Sequence, residues 1–282
     1  MYTLSAENQY GERLELTHNP AYGIKSVIGL DPPDGIINTT RNAGQDGSIY
    51  NSSYVDNRVI TITMAINYPA ETNRINLYRF FKTKFPVKLY YNNNLRDVTI
   101  TGYVQSMQIA FFDKKETCQI TILCPDTLFS DVDLGVYDLS GIGSGFEFPF
   151  NIDEDGIPFS IVLPMQETNV INHGDIETGA LITIAAIGPV INPQVYNVLT
   201  GKYMKLNTEL SSGDVIMINT RSGQKSIKLT SGGETTSLIG NLTEGSTWLQ
   251  LTPGDNIMGG GADTGSEYMT VTFQVVSQYQ GV

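Results

Sequence analysis

The sequence predicts a mainly β protein with one helix: an N-terminal α+β domain followed by a C-terminal β-sandwich. Three observations carry that expectation. Apolar residues alternate with polar ones, as at Ile60, Ile62, Met64 and Ile66 and again at Met269, Val271, Phe273 and Val275, the period of a strand with one buried face. Clusters of Gly, Asn, Asp and Ser separate these runs, among them Asn172-His173-Gly174-Asp175 and Pro253-Gly254-Asp255, and supply tight turns. A length of 282 residues is enough for two cores of ordinary size.

In chain order, the Ile60–Ile66 alternation gives the first long strand. Pro69-Ala70-Glu71-Thr72 then opens a helix near 70–85, with proline and an acid in its first turn. Ile75, Tyr78 and Phe81 fall at helical spacing, with Phe85 four further on, so this stripe is expected to face a sheet. Pro86 ends the helix. Val87 to Tyr91 runs into an Asn92-Asn93-Asn94 turn and returns through Val98, Ile100 and Val104; a second hairpin turns at Asp113-Lys114-Lys115 and returns through Ile120 and Ile122. These elements make a first domain over residues 1–130.

Residues 131–145 change character. Gly135, Gly141, Gly143 and Gly145 fall within them, and the stretch reads as a linker. The β-sandwich domain is expected over 146–282, beginning with a hairpin arm from Phe146 to Val162 that turns at Asp153-Glu154-Asp155-Gly156. Beyond Asn169 short strands and turns alternate, with Ile182 and Ile184, Ile216 and Ile218, and the Met269–Val275 set as the buried faces.

Charge separates the two halves. Residues 1–135 carry 12 Lys and Arg against 14 Asp and Glu, whereas residues 136–282 carry 5 against 15. An acidic second half repels phosphate backbones, which argues against specific nucleic-acid binding there. The first residues show no basic segment followed by an apolar one, so no secretory signal is expected. The longest apolar stretch, Ala180 to Ile191, is short for a membrane span and holds Gly188 and Pro189, which excludes membrane insertion. Synthesis in a bacterial cytoplasm is the expectation.

Candidate chemistry is sparse. Cys118 and Cys124 lie six residues apart on one alternating strand, roughly 20 Å, while bridged Cα atoms lie about 4.4–6.8 Å apart. They are read as small core residues, not as a disulfide or a metal pair. His18 and His173 sit beside Pro20 and Gly174 in turns, with no nucleophile signature near either. Asn151-Ile152-Asp153-Glu154-Asp155-Gly156 imitates the start of a calcium loop, but the twelfth position, where a bidentate Glu is needed, is Val162. A solvated acidic tip is the plainer reading. Gly259-Gly260-Gly261 lacks the following Lys and helix of a phosphate cradle. No catalytic, cofactor-binding or metal-binding set emerges.

Two sites point to interaction. Ile49, Tyr50, Tyr54 and Arg58 share one turn-rich stretch that suits either an oligomer interface or an ordinary surface loop. Trp248, the sole tryptophan, is a candidate platform for carbohydrate, although its neighbours Leu249, Leu251 and Pro253 suit a core or interdomain place.

An ordered series of short motifs resembles one family. It runs through Asp34-Gly35-Ile36, Gly44-Gln45-Asp46-Gly47, Arg58-Val59-Ile60-Thr61-Ile62, Pro86-Val87-Lys88-Leu89-Tyr90-Tyr91, Gly102-Tyr103-Val104 and Cys124-Pro125-Asp126-Thr127-Leu128-Phe129. It continues with Asn172-His173-Gly174-Asp175-Ile176-Glu177, Gly188-Pro189-Val190-Ile191-Asn192-Pro193, Asn197-Val198-Leu199-Thr200-Gly201, the run Leu210 to Thr220, and Trp248 to Asn256. Together these resemble the distal tail proteins of siphophage-type tails, the ring proteins of the baseplate hub. The resemblance implies a structural virion protein and no enzyme, with a ring-forming N-terminal domain and a galectin-like or carbohydrate-binding-module-like sandwich. It implies a homohexameric ring at the tail tip or baseplate, joining the tail tube protein to the tail-tip hub protein and presenting surfaces for a receptor-binding protein. The alternative is a host-adsorption protein whose sandwich binds cell-wall carbohydrate. A hydrolase using Asp153 and Asp155 stands third.

Overall fold

The computed structural model describes residues 2–111, 116–139, 142–144, 160–162 and 167–282. The chain divides into two compact units: residues 1–133 with Gln278–Val282, and Leu134–Ser277.

The first unit contains β1 (Thr3–Asn8), β2 (Arg13–Glu15), β3 (Tyr22–Ile28), β4 (Gly35–Thr40), β5 (Ile49–Val55), β6 (Arg58–Ile66), α1 (Ala70–Phe80), β7 (Pro86–Asn92), β8 (Asp97–Ala110), β9 (Thr117–Cys124) and β10 (Phe129–Asp131). A nine-stranded sheet runs β2-β1-β7-β8-β9-β6-β3 and adds β10, which pairs with β8 and with the distant residues Gln278–Tyr279. The alternation read from sequence sets its register. Ile60, Ile62 and Met64 on β6 and Cys118, Ile120, Ile122 and Cys124 on β9 are fully buried, and Ile62 lies opposite Ile120. β8 is long enough to serve three partners: Asp97–Tyr103 pairs with β7, Val98 and Thr99 also with β10, and Tyr103–Ala110 with β9, around a bulge at Gln105. The turn expected at Asp113–Lys115 lies outside the described residues.

The helix forms as expected, but its buried face differs. Ile75 and Tyr78 are exposed, as is Phe85 beyond its end; the stripe in the core is Asn73, Leu77 and Phe81 at i, i+4 and i+8. Asn73 hides this stripe from a hydropathy reading. It is tolerated because its side-chain amide donates to the Asn67 carbonyl at 3.0 Å, while its own backbone carbonyl accepts the Tyr22 hydroxyl at 3.1 Å.

Gly29, just past β3, shows what close packing demands here. Its φ is +94°, a region that favours glycine, and an added Cβ would overlap the Val59 carbonyl of β6. Gly29→Ala is therefore expected to destabilise this unit by about 2 kcal/mol, measured as a shift in the denaturation midpoint; an unshifted midpoint would show that the β3–β6 edge can yield.

The second unit comprises β11 (Gly135–Asp138), β12 (Ile142–Ser144), β13 (Ser160–Val162), β14 (Thr168–Asn172), β15 (Ala180–Ala186), β16 (Val190–Ile191), β17 (Gln194–Asn197), β18 (Tyr203–Lys205), β19 (Glu209–Leu210), β20 (Val215–Asn219), β21 (Ser226–Ser231), β22 (Glu234–Ser237), β23 (Gly254–Gly261) and β24 (Met269–Val275); β25 (Gln278–Tyr279) belongs to the first unit. A six-stranded sheet, β11-β24-β15-β20-β21-β22, faces a four-stranded one, β14-β23-β17-β18. Ile182, Ile184, Ile218 and Phe273 from the first meet Val170, Val195, Met204 and Met258 from the second in one buried cluster. This is the sandwich that the sequence predicts.

Part of the expected linker is a strand. Gly135–Asp138 pair with β24, and Gly135 sits under the Tyr137 ring, where a side chain would crowd it. The glycine that suggests looseness serves a close approach instead. β12 pairs with β13 across the expected arm, whose tip at Asp153–Gly156 lies outside the described residues.

Candidate functional site

β4 and β5 form a two-stranded hairpin on which every residue is exposed. Its register gives each face a distinct set. Ile36 pairs with Tyr54, Asn38 with Ser52 and Thr40 with Ile49 on one face; Ile37 pairs with Ser53 and Thr39 with Tyr50 on the other, which also carries Val55. A bulge at Asn51 keeps the apolar residues divided between both faces. Ile37 is 65% exposed, Tyr50 61%, Ile49 56% and Tyr54 55%. The hairpin is tied by Asn38 Nδ2 donating to Ser52 Oγ at 3.1 Å, Asn51 Nδ2 to Thr40 Oγ1 at 2.6 Å, and a 2.8 Å Tyr50–Ser53 hydroxyl contact. Isolated two-stranded ribbons are marginal in water, so one apolar on both faces calls for cover from another surface.

The structure thus brings together three residues singled out in the sequence, Ile49, Tyr50 and Tyr54, and adds Ile36, Ile37 and Val55. The missed signal was the adjacent pair Ile36-Ile37, which breaks alternation because neither face of its strand points to a core.

Arg58 does not join them. It is 3% exposed, and its guanidinium is wired to four backbone carbonyls. Nε donates to Thr127 at 2.8 Å, Nη1 to Gly29 at 2.6 Å and Asp31 at 2.7 Å, and Nη2 to Gln280 at 2.5 Å; the Phe129 ring lies 4.6 Å away. Burial pushes its pKa down, while the Cys124 and Asp31 neighbours oppose that. Arg96, over the Tyr279 ring at 4.6 Å, donates to the Gly281 carbonyl. Two arginines therefore hold residues 278–282 onto the first unit.

His18 and His173 are exposed, and among the described residues no group of three His, Cys, Asp or Glu is placed to hold a metal. No described helix is long and apolar enough to cross a membrane. Both cysteines are free and buried, and burial pushes the Cys118 thiol up to about 12 and the Cys124 thiol up to about 11. Neither carries appreciable thiolate at pH 8. A thiol reagent is expected to leave the native protein untouched and to titrate both groups in denaturant; rapid native labelling would contradict the packing of β9.

Trp248 is half-buried against the sandwich core, with the Lys225 ammonium 5.5 Å from its ring. No aromatic partner stands beside it among the ring contacts of the described residues.

Comparison with known proteins points in one direction. The family described as phage tail protein RIFT-related domain matches residues 10–124, and the siphovirus-type tail component, C-terminal domain, matches residues 173–276. No curated protein sequence matches the chain. Among solved structures the chain is similar to the Dit protein of phage SPP1, described as a paradigm of the hub adsorption apparatus in phages infecting Gram-positive bacteria. The TM-score is 0.65 at 13% identity, over 98% of this chain and 99% of that one. A fainter likeness, with a TM-score of 0.48 at 12% identity over all of both chains, is to a chain of the phage P2 baseplate.

Proposed function

The chain belongs to the phage distal tail proteins, structural components of the virion tail and baseplate, and on that premise we propose that six copies close into a ring through the β4–β5 hairpin. The single observation that carries this reading is the hairpin's exposure on both faces, each with three large apolar residues. A ring of one chain is closed by heterologous contacts, in which a donor surface on each copy meets a different acceptor on the next. A protruding hairpin is a donor of that kind. An acceptor is available at the outer edge of β3, which among the described residues pairs only with β6 and leaves Ile28 64% exposed.

The ring joins the tail tube to the tail tip, and the sandwiches present docking surfaces for receptor-binding or other tip proteins. The work on this reading is assembly.

Native mass spectrometry across a concentration series tests the ring. Six copies of a 30.9 kDa chain give a species of about 185 kDa. A monomer at every concentration would overturn closure by this chain alone.

A further inference from the structure

The second unit is acidic, and its few cations are not scattered. Residues 136–282 hold five Lys and Arg; Arg221 and Lys225 fall at the β20–β21 connection and Lys228 lies just beyond it on β21. Here Gln224 N–H donates to the Arg221 carbonyl and closes a tight turn, which Gly223 completes at φ +74° with open space around it. The Gln250 side-chain amide donates to the Thr220 carbonyl at 2.9 Å, which brings the Trp248–Gln250 segment beside that turn. Lys225 lies exposed, with its ammonium over the indole.

Arg221 is the anomaly. Its Nε is buried and makes no hydrogen bond, and neither ion pair among the described residues, Arg74–Glu71 or Lys205–Asp263, involves it. Removal from water pushes its pKa down. A buried guanidinium Nε without an acceptor costs free energy that an oxyanion reaching it at the turn would recover through a charge-assisted hydrogen bond. The neighbouring indole offers an apolar edge for a sugar or polyol carrying that anion.

We propose that the β20–β21 turn, with Arg221, Lys225 and Trp248, is a binding site for an anionic polymer, its oxyanions borne on a sugar or polyol backbone. Arg221 supplies the planar donor fork, Lys225 the second charge, and Trp248 the apolar contact. Electrostatic exclusion by the rest of an acidic domain makes the site selective, since an extended polyanion is repelled wherever these cations are absent. The proposal goes beyond ring closure and does not depend on it: the site lies within one copy of the second unit.

Trp248 is the sole tryptophan, so its emission reports on this site in the full chain. The probes are poly(glycerol phosphate), inorganic phosphate at matched phosphate concentration, and neutral dextran, at constant ionic strength. The expected result is a saturable emission change with the polymer, none with dextran, and weaker binding of free phosphate. Arg221→Gln and Lys225→Gln should each weaken the polymer by about tenfold, while Lys202→Gln, on the β17–β18 turn, leaves it unchanged. Lys225 is exposed, so its variant keeps the test valid if Arg221→Gln fails to fold. No saturable response, or equal responses in Lys225→Gln and the parent chain, would overturn the site. Equal affinity for free phosphate and polymer would overturn the polymer assignment. Loss of the ring in mass spectrometry would bear on neither result.

Discussion

Arg58→Met is expected to lower the stability of the first unit by about 3 kcal/mol or more, which corresponds to roughly 10 °C in its melting temperature. Methionine keeps much of the volume and removes every donor. Four carbonyls, on Gly29, Asp31, Thr127 and Gln280, then lose their partner in a site where Arg58 itself is only 3% exposed. Each unsatisfied buried carbonyl costs about 1–3 kcal/mol, so the estimate allows for water reaching some of them. Arg58→Lys should fall between the two, because an ammonium has three donors at one point and lacks the flat fork that spans four acceptors. The molecule carries its own reporters. Cys118 and Cys124 lie in the first core and Trp248 lies in the second unit. The substitution should bring thiol labelling to lower denaturant while the Trp248 transition stays in place. Unchanged thiol labelling would show that the clasp contributes nothing.

Ring closure should fail when either face of the hairpin is charged. Tyr54→Asp places a carboxylate opposite Ile36 on the face that also carries Ile49, and Ile37→Asp places one beside Tyr50 and Val55. Neither residue is buried in the monomer, so folding is expected to change by less than about 0.5 kcal/mol. At an interface, desolvating the new charge and losing an apolar anchor costs about 2–4 kcal/mol per contact. A closed ring repeats that loss at every joint. Mass spectrometry should then show monomer for both variants at concentrations where the parent chain assembles, while Ile239→Asp, exposed on the sandwich, still assembles. Persistence of the ring in Tyr54→Asp and Ile37→Asp alike would remove the hairpin from the interface.

The parts of the fold legible in sequence are those governed by local period. β6, β9, β15, β20 and β24 follow directly from alternation, because each buries one face against a single core. The helix was legible in place but not in orientation. Asn73 occupies a core position by satisfying its amide locally, and hydropathy cannot see that bond. Gly135 reads as looseness, yet its lack of a side chain admits Tyr137. Arg58 was misplaced for a different reason. Its nearest neighbours in sequence are hairpin residues, while its partners lie between 27 and 222 positions away. Of the hairpin, the tyrosines drew attention and Ile36-Ile37 did not, because an apolar pair facing no core imitates a buried strand.

Residues 278–282 have a consequence for the order of events during synthesis. β10 has β8 on one side but lacks its second strand partner until Gln278 and Tyr279 arrive, and Arg58 lacks one of its acceptors until Gln280 does. A ribosome adding about 5–20 residues per second delivers the whole sandwich before it delivers them. Nascent chains thus hold the first unit unfinished for as long as the sandwich is being made. A chain released at residue 277 would carry a complete second unit and a first one without its last strand.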